Sequence, residues 1–62
     1  MTPNEFRRIR RGVLDLSQEE LAKAMGVTGR TITAIERADK EVSKIYALAL
    51  KSLAANATQP AE

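Results

Sequence analysis

The fold of this chain is decided by residues 16–37, which read LSQEELAKAMGVTGRTITAIER. Ser17 with Glu20 three residues later is a capping box, the pattern that starts a helix. Gly26 stands where a helix stops on a residue with positive φ. The stretch therefore predicts a short helix over residues 18–25, followed almost at once by a second helix.

These two helices are expected to cross steeply. Only Gly26 and Val27 separate the first helix from Thr28, which can cap the next one. A close crossing requires a small side chain at the contact, and Ala22 supplies it. Apolar residues stand at the positions that would lie between the helices, namely Leu21, Met25, Val27, Ile32 and Ile35. Small residue, glycine turn and apolar positions together predict a helix-turn-helix.

Further helices are predicted on both sides of this motif. A capping box at the start of the chain predicts a helix over residues 3–14. Ser43 can cap a fourth helix that runs to about Ala54. The sequence therefore predicts an all-α, compact four-helix domain over residues 1–54. Residues 55–62 have nothing large to bury and are expected to form a flexible C-terminal tail.

Composition excludes most other kinds of function. The chain has 62 residues, a net charge of +2, and neither His nor Cys. It therefore lacks the usual ligands of a zinc site and the usual acid–base and nucleophilic groups, so no metal, no cofactor and no enzymatic activity are expected. No small-molecule ligand is expected, because pockets usually take roughly 300 Å³ or more. No apolar run reaches the ~20 residues of a membrane span, so a cytoplasmic location is the default.

Three runs in this sequence resemble the lambda repressor/Cro-type helix-turn-helix family. They are Leu16-Ser17-Gln18-Glu19-Glu20-Leu21-Ala22, Met25-Gly26-Val27-Thr28 and Thr31-Ile32-Thr33-Ala34-Ile35-Glu36-Arg37. Family members are mostly bacterial and phage transcription regulators that fold as four or five helices and bind operator DNA as dimers. The chain departs from the family pattern in several places, among them Ala38 where a Gly often follows the third helix and Val42 where a Pro often precedes the fourth. Asp15 replaces the commonest Gly, and the stretch from Phe6 to Leu16 is about one residue longer than usual.

The resemblance implies that the third helix enters the major groove of DNA with its N-terminal residues toward the base edges. Arg30 can bind guanine O6 and N7 through its guanidinium, and a solvated surface arginine is the alternative. Thr33 can meet a base edge through its hydroxyl or its methyl group. Ala34 can touch a thymine methyl or pack against a helix, and Gly29 can bring only its backbone close to DNA.

Other polar residues are expected to contact the phosphate backbone, namely Gln18, Thr28, Arg37, Arg10 and Arg11. Gln18 corresponds to a family position that contacts phosphate and braces the recognition helix. Residues 5–11 hold four arginines against one glutamate, a local charge of +3, and arginine without lysine favours phosphate binding over a merely solvated face. Glu36 would be repelled by phosphate, so we assign it to a salt bridge with an arginine of the first helix.

The fourth helix has apolar residues on two sides. Ile45, Leu48 and Ala49 form one stripe, and the other consists of Tyr46, Leu50 and Leu53. A surface helix of a small domain usually buries one stripe, so the second is expected to face another subunit, unless the first and third helices bury both. The pattern leaves open which stripe does so, and we assign Tyr46, Leu50 and Leu53 to a homodimer interface.

The sequence thus predicts a regulator that binds double-stranded DNA in the nucleoid. The expected activity is repression, through binding of a palindromic operator as a homodimer. The alternative is an antitoxin-like or accessory protein-interaction module whose fourth helix docks on a larger partner protein.

Overall fold

Four helices make up the protein in the computed structural model, which describes residues 1–58. They are α1 (Pro3–Arg8), which continues into a π-helical segment (Ile9–Val13), then α2 (Gln18–Met25), α3 (Gly29–Arg37) and α4 (Lys44–Thr58). The predicted all-α fold is confirmed, and no strand occurs among the residues described. The predicted bounds of the second helix are confirmed as well.

Side-chain caps begin the first three helices, as the sequence indicates. The hydroxyls of Thr2 and Ser17 each accept a hydrogen bond from the backbone N–H three residues on, at 3.1 Å, and Glu5 and Glu20 complete the two capping boxes. Thr28 caps α3 by accepting from a backbone N–H at 3.3 Å. These local bonds satisfy N–H groups that a helix start would otherwise leave unpaired.

The turn between α2 and α3 is built as its sequence predicts. Gly26 has a φ of 74°, in the left-handed region. This bend lets the Val27 N–H donate to the Ala22 carbonyl at 2.9 Å, which closes the end of α2. The side chain of Ala22 is buried and belongs to the core between the two helices. The helix-turn-helix is therefore formed.

A small core holds the helices together. Its largest fully buried side chains come one from each helix, namely Phe6, Leu21, Ile32 and Leu50, and Ala22, Val42 and Ala47 complete it. Apolar surface removed from water contributes roughly 25 cal/mol per Å². Because each helix supplies one large residue to the same cluster, α3 is fixed with its opposite side toward solvent.

The first helix differs from the single α-helix predicted over residues 3–14. After Arg8 its hydrogen bonds span five residues instead of four, which is the π pattern. The Leu14 N–H, for example, donates to the Ile9 carbonyl at 3.0 Å. A π segment takes up an extra residue without ending a helix. It thereby accommodates a stretch about one residue longer than the usual family spacing.

The fourth helix corrects two sequence predictions. It runs to Thr58, so residues 55–58 of the predicted tail are helical, as their alanines favour, while residues 59–62 lie outside the described residues. The stripe assigned to the dimer, Tyr46, Leu50 and Leu53, packs instead on the core, and Leu50 is 0% exposed.

Of the other stripe, Ile45 and Leu48 face solvent, whereas Ala49 is partly buried. Ile45 is 74% exposed and Leu48 is 65% exposed. They lie on the side of the helix opposite Ala47 and Leu50, because successive residues turn by about 100° around a helix. A helix at the surface of a small domain buries one side, and here that side includes Ala47 and Leu50.

Asp15 provides a test of the backbone path into α2. It is the one residue besides Gly26 in the described chain with positive φ, at 54°. Glycine adopts this conformation without steric cost, whereas other residues are strained there. We expect Asp15→Gly to raise the free energy of unfolding by about 0.5–1 kcal/mol, measured by urea titration. Asp15→Ala should lower it, and a destabilising glycine variant would contradict the left-handed assignment.

Candidate nucleic-acid interface

The solvent side of α3 is a stripe of three residues, Arg30, Ala34 and Arg37. All three are exposed, and their spacing of four and three residues places them on one face of the helix. Ile32 and Glu36 are buried on the opposite side. Gly29 and Thr33 are partly buried and flank the exposed stripe. The structure thus brings the four predicted base-contacting residues together with Arg37.

An open groove of about 420 Å³ runs beside this stripe, between α2 and α3. Its lining is Gln18, Glu19, Ala22, Lys23, Val27, Gly29, Arg30 and Thr33. The groove therefore joins the N-terminal end of α2 to the N-terminal half of α3, where helix N-termini present unpaired N–H groups. Such N–H groups and the cations at the groove are suited to an extended anion such as a nucleic-acid backbone.

A buried ion pair lies beneath this surface and joins α3 to the first helix. The guanidinium of Arg10 donates from Nε to Glu36 Oε2 at 2.6 Å and from Nη2 to Glu36 Oε1 at 3.1 Å. Its Nη1 donates to the Leu16 carbonyl at 2.8 Å. Arg10 and Glu36 are only 6% and 5% exposed. The two-point geometry is the strongest arrangement open to an arginine and a carboxylate.

This pair confirms one sequence prediction and corrects another. Glu36 does form a salt bridge with an arginine of the first helix, as expected. Arg10 was predicted to contact phosphate, but all three of its guanidinium nitrogens bind inside the protein. Arg11 is exposed, so its predicted phosphate contact stays a prediction. Arg7 is half exposed, with Nε 3.6 Å from Glu36 Oε1, and adds positive charge beside the buried pair.

Gln18 extends the network from α2 to α3. Its Nε2 donates to Glu36 Oε1 at 3.2 Å, and its Oε1 accepts from the Thr33 hydroxyl at 3.0 Å. The same hydroxyl also donates to the Gly29 carbonyl at 3.1 Å. The expected bracing of the recognition helix by Gln18 is thereby confirmed. Sequence reasoning missed the role of Thr33 in this brace, because no local pattern links residues that are 15 positions apart.

The carboxyl of Glu36 is held in its charged form. Burial raises its pKa, but hydrogen bonds from Arg10 and Gln18, together with the charges of Arg10 and Arg7, outweigh burial and leave the pKa below its ordinary value. No buried side-chain nitrogen or oxygen in the described part of the chain lacks a partner. The network is therefore fully satisfied.

Thr28 caps α3. Besides accepting from the Thr31 N–H, its hydroxyl shares a hydrogen bond with the Thr31 hydroxyl at 3.1 Å. Thr28 is exposed, so phosphate could still approach it. Capping is confirmed, and its predicted phosphate contact stays a prediction.

Residues 1–58 contain neither a candidate metal site nor a candidate membrane span. No group of three or more His, Cys, Asp or Glu side chains there could hold a metal ion. None of the helices described is both long enough and apolar enough to span a bilayer.

A protruding helix over a short brace helix, with arginines on its free face, defines a helix-turn-helix DNA-binding protein. Comparison with protein families agrees: a model described as helix-turn-helix matches residues 6–51, well over half of the chain. The chain belongs to the lambda repressor/Cro-type helix-turn-helix family and is a DNA-binding transcription regulator of that type. No curated protein and no solved structure gave a significant match.

The buried ion pair makes a prediction about stability. Removing one partner strands the other charge, so we expect Arg10→Met or Glu36→Leu alone to lower the free energy of unfolding by about 3–5 kcal/mol. Replacing both at once leaves no buried charge, so Arg10→Met/Glu36→Leu should be more stable than either single variant. Denaturant titration of the wild type, the two single variants and the double variant measures this coupling, and Arg11→Met, at an exposed position, is the control.

Acid titration checks the same pair independently. Because the pKa of Glu36 is lowered on folding, its contribution is present above the ordinary value of 4.5 and is lost as the pH falls through the lowered pKa. The double variant should lack this part of the acid-induced loss of stability. Glu5 and Glu20, whose pKa values are lowered by backbone hydrogen bonds from Thr2 and Ser17, titrate in both proteins. If the free energy of unfolding depended on pH identically in the wild type and the double variant, the charged pair would be contradicted.

Proposed function

We propose that the protein is a sequence-specific repressor that binds a palindromic site in double-stranded DNA as a homodimer. The observation that carries this proposal is the exposed stripe of Arg30, Ala34 and Arg37 on the protruding face of α3. A helix about 10–12 Å across matches the major groove of B-DNA, which is about 12 Å wide. The DNA would be met in the cytoplasm, at the nucleoid.

Base recognition is assigned to the N-terminal half of α3. Arg30 is exposed at the second position of this helix, and a guanidinium there can bind guanine O6 and N7 at two points. Ala34 is exposed one turn further on and offers a methyl group to thymine. Gly29, with no side chain, lets the backbone come close to the base edges. Thr33 lines the groove together with Gly29 and Arg30.

Phosphate contacts are assigned to the residues on either side of α3. Gln18 and Thr28 stand at the N-terminal ends of α2 and α3, where backbone N–H groups favour an anion. Arg37 ends the exposed stripe, and Arg11 is exposed on the π segment. Such contacts fix position and orientation on the duplex without reading sequence.

Repression is the simplest regulatory outcome of this surface. A bound protein that covers a promoter excludes polymerase without any further contact. Activation would need an added surface for polymerase besides the one that holds DNA. We therefore assign the protein to repression.

The homodimer is assigned to the outer face of α4. Ile45 and Leu48 are large, apolar and mostly exposed, and they neighbour each other on the helix at a spacing of three residues. A two-fold contact between two such faces would remove both from water. It would also present two recognition helices to half-sites about 34 Å apart on one side of the duplex.

Specific binding can be tested at Arg30. Selection of bound sites from random duplex DNA should recover an inverted repeat, and the affinity for it should fall steeply with salt as counterions are released. We expect Arg30→Ala to weaken binding by roughly 10- to 100-fold and to relax base preference at one position of each half-site. Fluorescence anisotropy and a repeated selection measure the two effects.

The matched control is Arg8→Ala, which removes the same charge from an exposed position on α1 away from the groove. It should change affinity only weakly and leave the selected site unaltered. Equal losses of DNA affinity in Arg30→Ala and Arg8→Ala, or binding without sequence preference, would indicate a nonspecific DNA-binding protein instead.

A second function is favoured by the same exposed residues of α4. An antitoxin-like or accessory module would use Ile45 and Leu48 to dock on a different protein. In that case the isolated chain would stay monomeric and bind DNA weakly. The two functions therefore differ in oligomeric state and in affinity for DNA.

The dimer can be tested with Ile45→Ser/Leu48→Ser. We expect the wild-type protein to sediment as a dimer at micromolar concentration and the double variant as a folded monomer, because neither side chain contributes to the core. Affinity for the full palindrome should fall much more than affinity for a single half-site. Lys40→Ser alters an exposed position outside α4 and should remain dimeric. A wild-type monomer would favour the partner-protein function.

A further inference from the structure

The hydrogen-bond network fixes whether the Thr33 hydroxyl donates or accepts. The chain of bonds that decides this begins at the charged carboxylate of Glu36. Its carboxylate is ionised and can only accept hydrogen bonds. The atom of Gln18 that lies 3.2 Å from Glu36 Oε1 must therefore be the donor Nε2. An amide has its donor and acceptor on opposite branches, so Gln18 Oε1 is the atom that faces Thr33.

The proton of the Thr33 hydroxyl is then donated within the protein. Both oxygens within reach, Gln18 Oε1 at 3.0 Å and the Gly29 carbonyl at 3.1 Å, are acceptors without a proton of their own. A threonine hydroxyl has one proton, and it is shared between these two oxygens. No proton remains to donate to guanine O6 or N7, to thymine O4 or to adenine N7.

The γ-methyl group is the part of the Thr33 side chain that makes no internal hydrogen bond. Thr33 is partly exposed and lines the groove together with Arg30, one turn of α3 away. Apolar contact with the C5-methyl of thymine is the base contact that a threonine methyl can make. We propose that Thr33 divides two tasks between its branches: its hydroxyl positions Gln18, and its methyl selects thymine.

This inference rests on the proposed DNA-binding function and deepens it, and its test uses uracil in place of thymine. Deoxyuridine lacks only the C5-methyl group. In the site selected by the wild-type protein, one thymine of each half-site should lose about three- to fivefold in affinity when replaced by deoxyuridine, the worth of one buried methyl group. Thr33→Ser, which keeps the hydroxyl, should be insensitive to that replacement.

Thr33→Val is the complementary variant, because it keeps a methyl group and lacks the hydroxyl. It should keep the thymine preference while binding more weakly overall, since Gln18 loses a donor. Thr31→Ser is the matched control, as it removes a methyl group from the other flank of α3, and it should keep the wild-type response to deoxyuridine. A guanine, adenine or cytosine preference that Thr33→Val abolishes and Thr33→Ser retains would overturn the proposal.

The positioning task can be measured without DNA, which separates its failure from that of the proposed function. In ¹⁵N-labelled protein, the NMR chemical shifts of the Gln18 side-chain amide protons should differ from those of a free glutamine in the wild type and in Thr33→Ser. In Thr33→Val they should move toward the free-glutamine values. Unchanged Gln18 signals in Thr33→Val would overturn the positioning task. Failure to recover any preferred DNA site would overturn the thymine contact together with the proposed function, and the Gln18 signals would still decide the first part.

Discussion

The rest of the structure depends on the ion pair between Arg10 and Glu36, which closes the chain across 26 residues. Removing two charges from water costs several kcal/mol per ion, and only good geometry with satisfied hydrogen bonds offsets that cost. Here the carboxylate is bound at two points by Arg10 and at a third by Gln18, while the remaining nitrogen of Arg10 binds the Leu16 carbonyl. A buried network of this kind tolerates few alternative arrangements of α1, α2 and α3.

This pair also links the interior to the surface that meets DNA. The amide of Gln18 is held from both sides, by the charge of Glu36 in the interior and by the hydroxyl of Thr33, which lines the groove. A recognition helix held in this way needs little reordering when it binds, which reduces the entropic cost of association. The free apolar face of α4 lies outside the network, so assembly and DNA reading use different parts of the molecule.

Most of the fold and part of the site could be predicted, because the signals are local. Ser17 with Glu20 and Gly26 give α2 its bounds, since a cap and a left-handed residue act within one turn. The sequence did not identify which arginine of the first helix is buried. Arg7, Arg10 and Arg11 share one side of a regular helix, so their spacing leaves open which of them faces Glu36. The π segment rotates the residues after Arg8 relative to a regular α-helix, and this helps to decide which arginine turns inward.

By itself, the sequence determined where the helices begin, where α2 ends, and that Arg30, Ala34 and Arg37 stand at helical spacing on α3. It did so because capping, periodicity and turn conformation are properties of a few neighbouring residues. Only the tertiary structure decided which apolar stripe of α4 is buried and which partner the Thr33 hydroxyl takes. Both choices depend on atoms that are brought together from distant segments. The two stripes of α4 are similar in hydrophobicity, and the Thr33 hydroxyl can bond to any acceptor within reach, so the surroundings of each decide the outcome.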